Sequence, residues 1–215
     1  MNTRWKTLLN TALTEVIVEQ CHGKKILLTL TGGMDTRLIL SILLKQKIGC
    51  DVYTYHSSKP VVQYFVDKDI RIAKEIAGYY GLVHHVFNGD GSWYETLNRV
   101  RDGYDVVVGG GCMSEYFNTL EYNKHSENEM KKNIQQRHVD VINQNNIFAP
   151  MLDERVLCVL PDIPRCCKMF SVIQRSLIMM NTPDLLMCFG STEHSVVREV
   201  ESRLYRFCLQ RGWLI

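Results

Sequence analysis

The sequence predicts an α/β fold, an open parallel sheet with helices on both faces and a helical C-terminal part, and three observations carry that prediction. Short unbroken apolar runs at 26–30 and 106–108 read as strands buried on both sides. Each run stops at glycines, Gly32-Gly33 and Gly109-Gly110-Gly111, where a buried strand must turn. Between the strands the apolar residues return at helical spacing, and strand and helix in alternation give a parallel sheet with right-handed crossovers.

The elements follow in order. Trp5, Leu8, Leu9, Ala12 and Val16 fall on one helical stripe, which predicts an amphipathic helix over about 4–20, closed by Gly23. The strand at 26–30 passes through the glycine pair into a buried helix around 38–44. Residues 51–55, with Val52 and Thr54 alternating against Tyr53 and Tyr55, form the second strand. Val66, Ile70, Ala73, Ala77 and Tyr80 mark the apolar face of the next helix; Gly81 caps it, and 83–87 is the third strand. A short helix at 93–100 precedes the fourth strand at 104–108. From 118 to 146 the chain turns polar, which predicts exposed helix or loop, and helices over about 164–180 and 192–211 complete it. A chain of 215 residues suits one domain. It divides into an N-terminal helix (1–23), an α/β core (24–117) and a mainly helical remainder (118–215).

Bulk properties narrow the function classes. Hydrophobic residues make up 46% and charged residues 22%, ordinary for a soluble globular chain. The 25 Lys and Arg against 23 Asp and Glu leave +2, spread along the sequence, so nothing supports a nucleic-acid partner. No apolar run approaches the roughly 20 residues of a membrane span. The eight cysteines show no C-x-x-C spacing, which disfavours zinc and redox motifs. Residues 1–10 lack the apolar stretch of a secretory signal, so a reducing, cytoplasmic setting with free thiols is expected.

The chemistry concentrates in Thr31-Gly32-Gly33-Met34-Asp35-Thr36, a strand end running straight into a helix. Two glycines let the main chain approach an anion and turn its N–H groups toward it, and the helix start adds the positive end of its dipole. Thr31 and Thr36 offer hydroxyls, and Asp35 can hold the Mg2+ that accompanies a polyphosphate. The plain alternative is a glycine turn with Asp35 as a helix cap. Neither a Walker A loop nor a G-x-G-x-x-G fingerprint is present.

The loop resembles the S-G-G-x-D-S/T loop of the PP-loop ATP pyrophosphatase (HUP-like) superfamily, in the T-G-G-x-D-S-R form of its asparagine-synthetase-like branch. Asp69-Ile70-Arg71-Ile72-Ala73-Lys74 with Tyr80-Gly81-Leu82 and His84-His85 is similar to the branch's next helix and strand, and 150–156, PMLDERV, to its P-F-L-D-x-R-V segment. Residues 109–117, GGGCMSEYF, stand where the branch carries G-E-G-S-D-E-x-F; there Glu115 matches while Gly111 and Ser114 replace two acids. The resemblance implies a first strand lying beside the fourth, with both glycine loops over one nucleotide. It assigns ATP to Leu30, Thr31, Gly32, Gly33, Asp35, Thr36, Tyr55, Gly109 and Gly110, with adenine on main-chain groups of the strand end at 53–56, and Mg2+ to Asp35. It implies catalytic roles for Lys168, Arg175 and Glu115, and a ligase that adenylates a small-molecule carboxylate, releases pyrophosphate and lets ammonia or an amine displace AMP. Asn2 rather than cysteine follows Met1, so ammonia would arrive free or from a separate glutaminase partner. A nucleotide- or tRNA-modifying enzyme and a degenerate, non-catalytic ATP-binding module are the rival readings.

Over 164–180, Arg165, Lys168, Ser171 and Arg175 share a stripe that either faces a ligand or is a solvated basic face. Cys112 is a candidate nucleophile but reads better as small filler, and His84 and His85, adjacent on a strand, read as structural.

Overall fold

The computed structural model describes residues 4–57, 60–89, 100–111, 142, 146–164, 167 and 171–190. Five parallel strands make one open sheet: β1 (Ile26–Thr29), β2 (Asp51–Ser57), β3 (His84–Gly89), β4 (Val106–Val108) and β5 (Ile147–Phe148), in the order β3-β2-β1-β4-β5. The helices are α1 (Arg4–Cys21), α2 (Met34–Lys45), α3 (Pro60–Tyr80), α4 (Glu154–Leu157), α5 (Val172–Asn181) and α6 (Asp184–Met187). Gly23 at φ 72° and Gly81 at φ 66° follow α1 and α3 in the left-handed conformation that glycine adopts without a Cβ clash.

Strand alternation divides the core. Ile26, Leu28, Leu30, Val52 and Val108 point to one face, where α2 and α3 lie and where α1 and α5 pack against α2. Between sheet and helices, α2 is buried nearly all round, including Leu38, Ile39, Leu40, Ile42 and Leu43. Each such side chain contributes about 1.5–3 kcal/mol by leaving water, so the first turn of α2 stands on a rigid base. Leu27, Tyr53 and Val107 point to the other face and pack with Val100, Ile142, Ile147 and Ala149. Of the expected helices of that second face, and of those at 93–100 and 192–211, only single residues such as Val100 are described.

Two expectations change. β5 is a strand the sequence reading did not foresee, and it lies past residue 117, so the sheet also draws on the later part of the chain. A continuous helix over 164–180 is not formed. Pro164 is non-helical and Ser171 adopts φ 54°, a left-handed conformation no helix interior tolerates, so α5 begins only at Val172. The stripe through Arg165, Lys168, Ser171 and Arg175 is therefore not one helical face.

Candidate functional site

β1 and β4 lie side by side, pairing Ile26 with Val106, Leu27 with Val107 and Leu28 with Val108, although the chain visits β2 and β3 between them. The order of the sheet reverses at that pair, and ligands of open α/β sheets bind beyond the carboxyl ends of strands at such a point. A cleft of about 340 Å³ opens there. Thr31, Gly33, Asp35 and Thr36 line it from the first loop, Gly109, Gly110 and Gly111 from the second, and Thr29, Ile142 and Ile147 close it.

The two loops touch. A Cβ on Gly110 would stand 3.0 Å from Asp35 Cβ, 3.0 Å from Thr36 Cγ2 and 3.2 Å from the Thr36 backbone nitrogen. Only glycine permits so close an approach. Gly33 caps α2 in extended conformation with no side-chain hydrogen bond to the helix start, leaving the dipole's positive end turned to the cleft.

The loop's own amides are arranged differently from the sequence expectation, in which they point at a ligand. Thr31 N–H donates to Thr36 Oγ1 at 3.2 Å, Gly32 N–H to Asp69 Oδ1 at 2.9 Å, and Gly33 N–H to Thr31 Oγ1 at 3.1 Å. Part-buried donors need acceptors, and these side-chain oxygens provide them.

Behind the loop, Arg37 is fully buried. It donates to Leu185 O at 3.1 Å, to Gly32 O at 3.1 Å and to Gly190 O, tying the loop to the turn after α6. Leu30 is also buried, with both backbone groups engaged: its N–H donates to Tyr53 O and its carbonyl accepts from Thr54 Oγ1 at 2.7 Å. Since the single Thr54 hydroxyl hydrogen goes to Leu30, His84 Nε2, 2.9 Å away, is the donor to Thr54. Burial, with His85 and Lys74 adding to it, lowers the His84 pKa, so the ring is neutral at pH 7. His84 thus supports the peptide entering the loop.

Tyr55 lies on β2 past the end of β1, since Thr29 pairs with Tyr53. Val52 N–H reaches Val83 O toward β3 while Tyr53 O accepts from Leu30 toward β1, so the two-residue period turns Tyr55's backbone to the β1 side, beside the loop.

Of the residues singled out from sequence, Thr31, Gly33, Asp35, Thr36, Gly109 and Gly110 share the cleft. Leu30, Gly32 and Tyr55 stand behind or beside it. Arg175 is exposed on α5 and does not line the cleft. Lys168 and Glu115, with Cys112 and Ser114, lie outside the described residues. One residue from Arg175, the buried Gln174 reaches the site instead, donating from Nε2 to Asp35 Oδ1 at 2.9 Å. Sequence reading missed it because an amide inside an apolar stretch carries no motif. Asp69 did stand in a quoted motif string, and Arg37 occupies the place of the arginine in the T-G-G-x-D-S-R form; both contact Gly32.

No protein-family model matches the chain, and no curated protein does.

A second polar cluster sits at the amino ends of the strands. Tyr104 donates to Asp51 Oδ2 at 2.6 Å and lies 3.1 Å from His85 Nε2, which must donate to it. Burial first, then the Asp51 hydrogen bond, pushes the Tyr104 hydroxyl up to about 12. The cluster joins β2, β3 and the approach to β4 at the end of the sheet away from the cleft. The 150–156 segment is likewise structural: Asp153 caps α4 through Arg155 N at 2.9 Å, and Arg155 reaches Glu19 on α1 at 2.8 Å. The Arg155 hydrogen bond holds the Asp153 carboxyl below the usual carboxylate range. Among the described residues there is no group of three or more His, Cys, Asp or Glu able to hold a metal, and no helix long and apolar enough to cross a membrane.

Proposed function

We propose that the cleft between the β1 and β4 loops binds the phosphates of ATP with Mg2+, and that the chain is an asparagine-synthetase-like ligase. The observation that carries this reading is the meeting of two glycine loops, from strands distant in sequence, over Asp35 and the uncapped start of α2. A glycine cradle at a helix N-terminus suits a polyphosphate. The cavity lies at the small end of the roughly 300–1,000 Å³ of small-molecule sites, which matches the phosphate part of a nucleotide whose base lies outside it. Tyr55's backbone, turned toward the loop side, supports the adenine position.

Phosphate oxygens take over the amides of Thr31, Gly32 and Gly33 from Thr36, Asp69 and the Thr31 hydroxyl, one hydrogen bond for another. Arg37 holds the Gly32 carbonyl while that exchange occurs. Asp35 offers a hard carboxylate oxygen, the donor type Mg2+ takes beside phosphates, and the ion offsets negative charge on the leaving pyrophosphate. In the reaction, a carboxylate oxygen of the acceptor attacks the α-phosphorus, pyrophosphate leaves, and ammonia or an amine then attacks the acyl carbon as AMP departs. Lys168, Arg175 and Glu115 are the candidates to move charge and protons in those steps.

One observation favours a second reading, a nucleotide-binding module without turnover. Gly111, standing where the branch carries an acid, packs so closely that a Cβ there would lie 2.9 Å from Ile142 Cδ1, and Asp35 is the sole carboxylate among the described residues lining the cleft.

Calorimetry with Mg2+ and ATP, followed by pyrophosphate release with amino acids and ammonia, separates the two. Binding with release supports the ligase, and binding alone the module. No heat of binding at millimolar ATP refutes both. Asp35→Ala is expected to abolish pyrophosphate release while leaving the fold intact, and full activity in that variant refutes the magnesium role.

A further inference from the structure

We infer that the carboxamide oxygen of Gln174 and the carboxylate of Asp35 together ligate one divalent cation of magnesium's size, phosphate oxygens and water completing its shell. The inference rests on the reading of the cleft as a nucleotide site and adds a ligand from α5, an element the phosphate loop does not contain. Gln174 is 3% exposed. Its Nε2 donates to Asp35 Oδ1 at 2.9 Å, while its Oε1, equally buried, has no hydrogen-bond partner. A purely structural amide at such depth would have both ends satisfied.

The two ends of a carboxamide have nearly the same shape, so a half-turn about Cγ–Cδ puts Oε1 where Nε2 stands and carries Nε2 to the place of the unpartnered Oε1. Two hard oxygens would then face each other at the observed 2.9 Å. Their mutual repulsion makes that arrangement unfavourable unless a cation lies between them. Neighbouring oxygens of an octahedron with Mg–O near 2.0–2.1 Å are about 2.9 Å apart. The separation therefore matches a magnesium- or manganese-type octahedron. One or two protein oxygens plus substrate phosphates is also the usual way proteins bind Mg2+, which is why no cluster of three acids is needed. The second oxygen thus comes from a residue far along the chain, at a site where Gly111 stands in place of an acid.

The test uses the full chain. Nucleotide binding is measured first with a fluorescent ATP analogue in EDTA, then Mn2+ affinity by electron paramagnetic resonance at saturating nucleotide, for the wild type, Gln174→Leu and Gln174→Glu. Gln174→Leu is expected to weaken Mn2+ binding at least tenfold more than it weakens metal-free nucleotide binding. Gln174→Glu, which places a charged oxygen at the same point, is expected to tighten Mn2+ binding. No nucleotide binding by the wild type, with or without Mg2+, overturns the nucleotide reading and this inference with it. Nucleotide binding with wild-type Mn2+ affinity in both variants overturns the Gln174 ligand alone. So does an equal loss in both, which signals damaged packing rather than a lost ligand. Should Gln174→Leu fail to fold, Gln174→Glu decides by itself, unchanged or weakened Mn2+ binding overturning the assignment.

Discussion

The contact between the two glycine loops predicts that one substitution, Gly→Ala, has opposite effects at two positions. At Gly110 the new methyl would lie 3.0 Å from both Asp35 Cβ and Thr36 Cγ2 and 3.2 Å from the Thr36 backbone nitrogen. Carbon atoms prefer about 3.5–4.0 Å, so the overlap is about half an ångström on two side chains rooted in a buried helix. Overpacking of that kind costs about 2 kcal/mol, and the reduced freedom of the unfolded chain returns about 0.5 kcal/mol. The net loss of about 1.5 kcal/mol lowers the melting temperature of a chain this size by about 3–6 °C. At Gly78, in the last turn of α3, a Cβ meets nothing within 4 Å, and alanine's better helix propensity adds about 0.5–1 kcal/mol, a rise of about 1–4 °C. Thermal melts by circular dichroism read both signs, and calorimetry reads ATP affinity, expected to fall at least about tenfold in Gly110→Ala, where the cleft is wedged open, and to stay unchanged in Gly78→Ala. Equal melting temperatures and equal ATP affinities for Gly110→Ala and the wild type would show that the β1 and β4 loops do not meet.

Two further outcomes follow from the buried groups. Arg37→Met removes the guanidinium from the carbonyls of Gly32, Leu185 and Gly190. The Gly32 and Leu185 carbonyls are buried and cost about 1–3 kcal/mol each when stranded, partly offset by removal of a desolvated charge, so urea denaturation is expected to show a loss of about 2–4 kcal/mol; stability equal to wild type refutes the clamp. On the alkaline side, burial pushes the Cys21 thiol up to about 11 despite Lys24, and the Cys50 thiol, with Asp51 adding to burial, up to about 12, while Tyr104 stands at about 12. These groups are neutral when protonated and their folded pKa values are raised, so between pH 9 and 12 the unfolded chain gives up protons that the folded chain keeps. Stability is therefore complete below about pH 9 and declines as pH rises toward 12. Urea midpoints that stay level from pH 8.5 to 11 contradict that.

The parallel sheet and its two glycine loops were legible because both signals are local: a buried strand is a short apolar run, and a glycine pair is a turn. The neighbouring of β1 and β4 was not legible in that way; it was only what the resemblance implied. What escaped was of two kinds. β5 is two residues long, too short for any period to register. The helix expected over 164–180 had good apolar spacing throughout, yet periodicity is blind to a single backbone reversal, and Ser171 supplies one. That reversal bears directly on the site. A continuous helix would have made Lys168 and Arg175 the natural pair to face the phosphates, whereas the helix that forms begins at Val172, leaves Arg175 exposed and turns Gln174 onto Asp35.

The same contrast separates the parts of the site. Residues whose role depends on the main chain, such as Gly33, Gly109 and Gly110, can be found from sequence, because only glycine performs that role and it marks the place. Residues whose role depends on a side chain arriving from elsewhere carry no such mark. Asp69 reaches Gly32 from 37 residues away and Gln174 reaches Asp35 from 139 away; Asp69 stood in a motif string that says nothing of its partner, and Gln174 reads as an ordinary core amide. Both contacts converge on the short stretch between Gly32 and Asp35. The loop is therefore held in shape by α3 and α5 as much as by its own glycines. Changes on those helices that never touch a ligand are then expected to alter phosphate binding through the positions of Gly32 and Asp35.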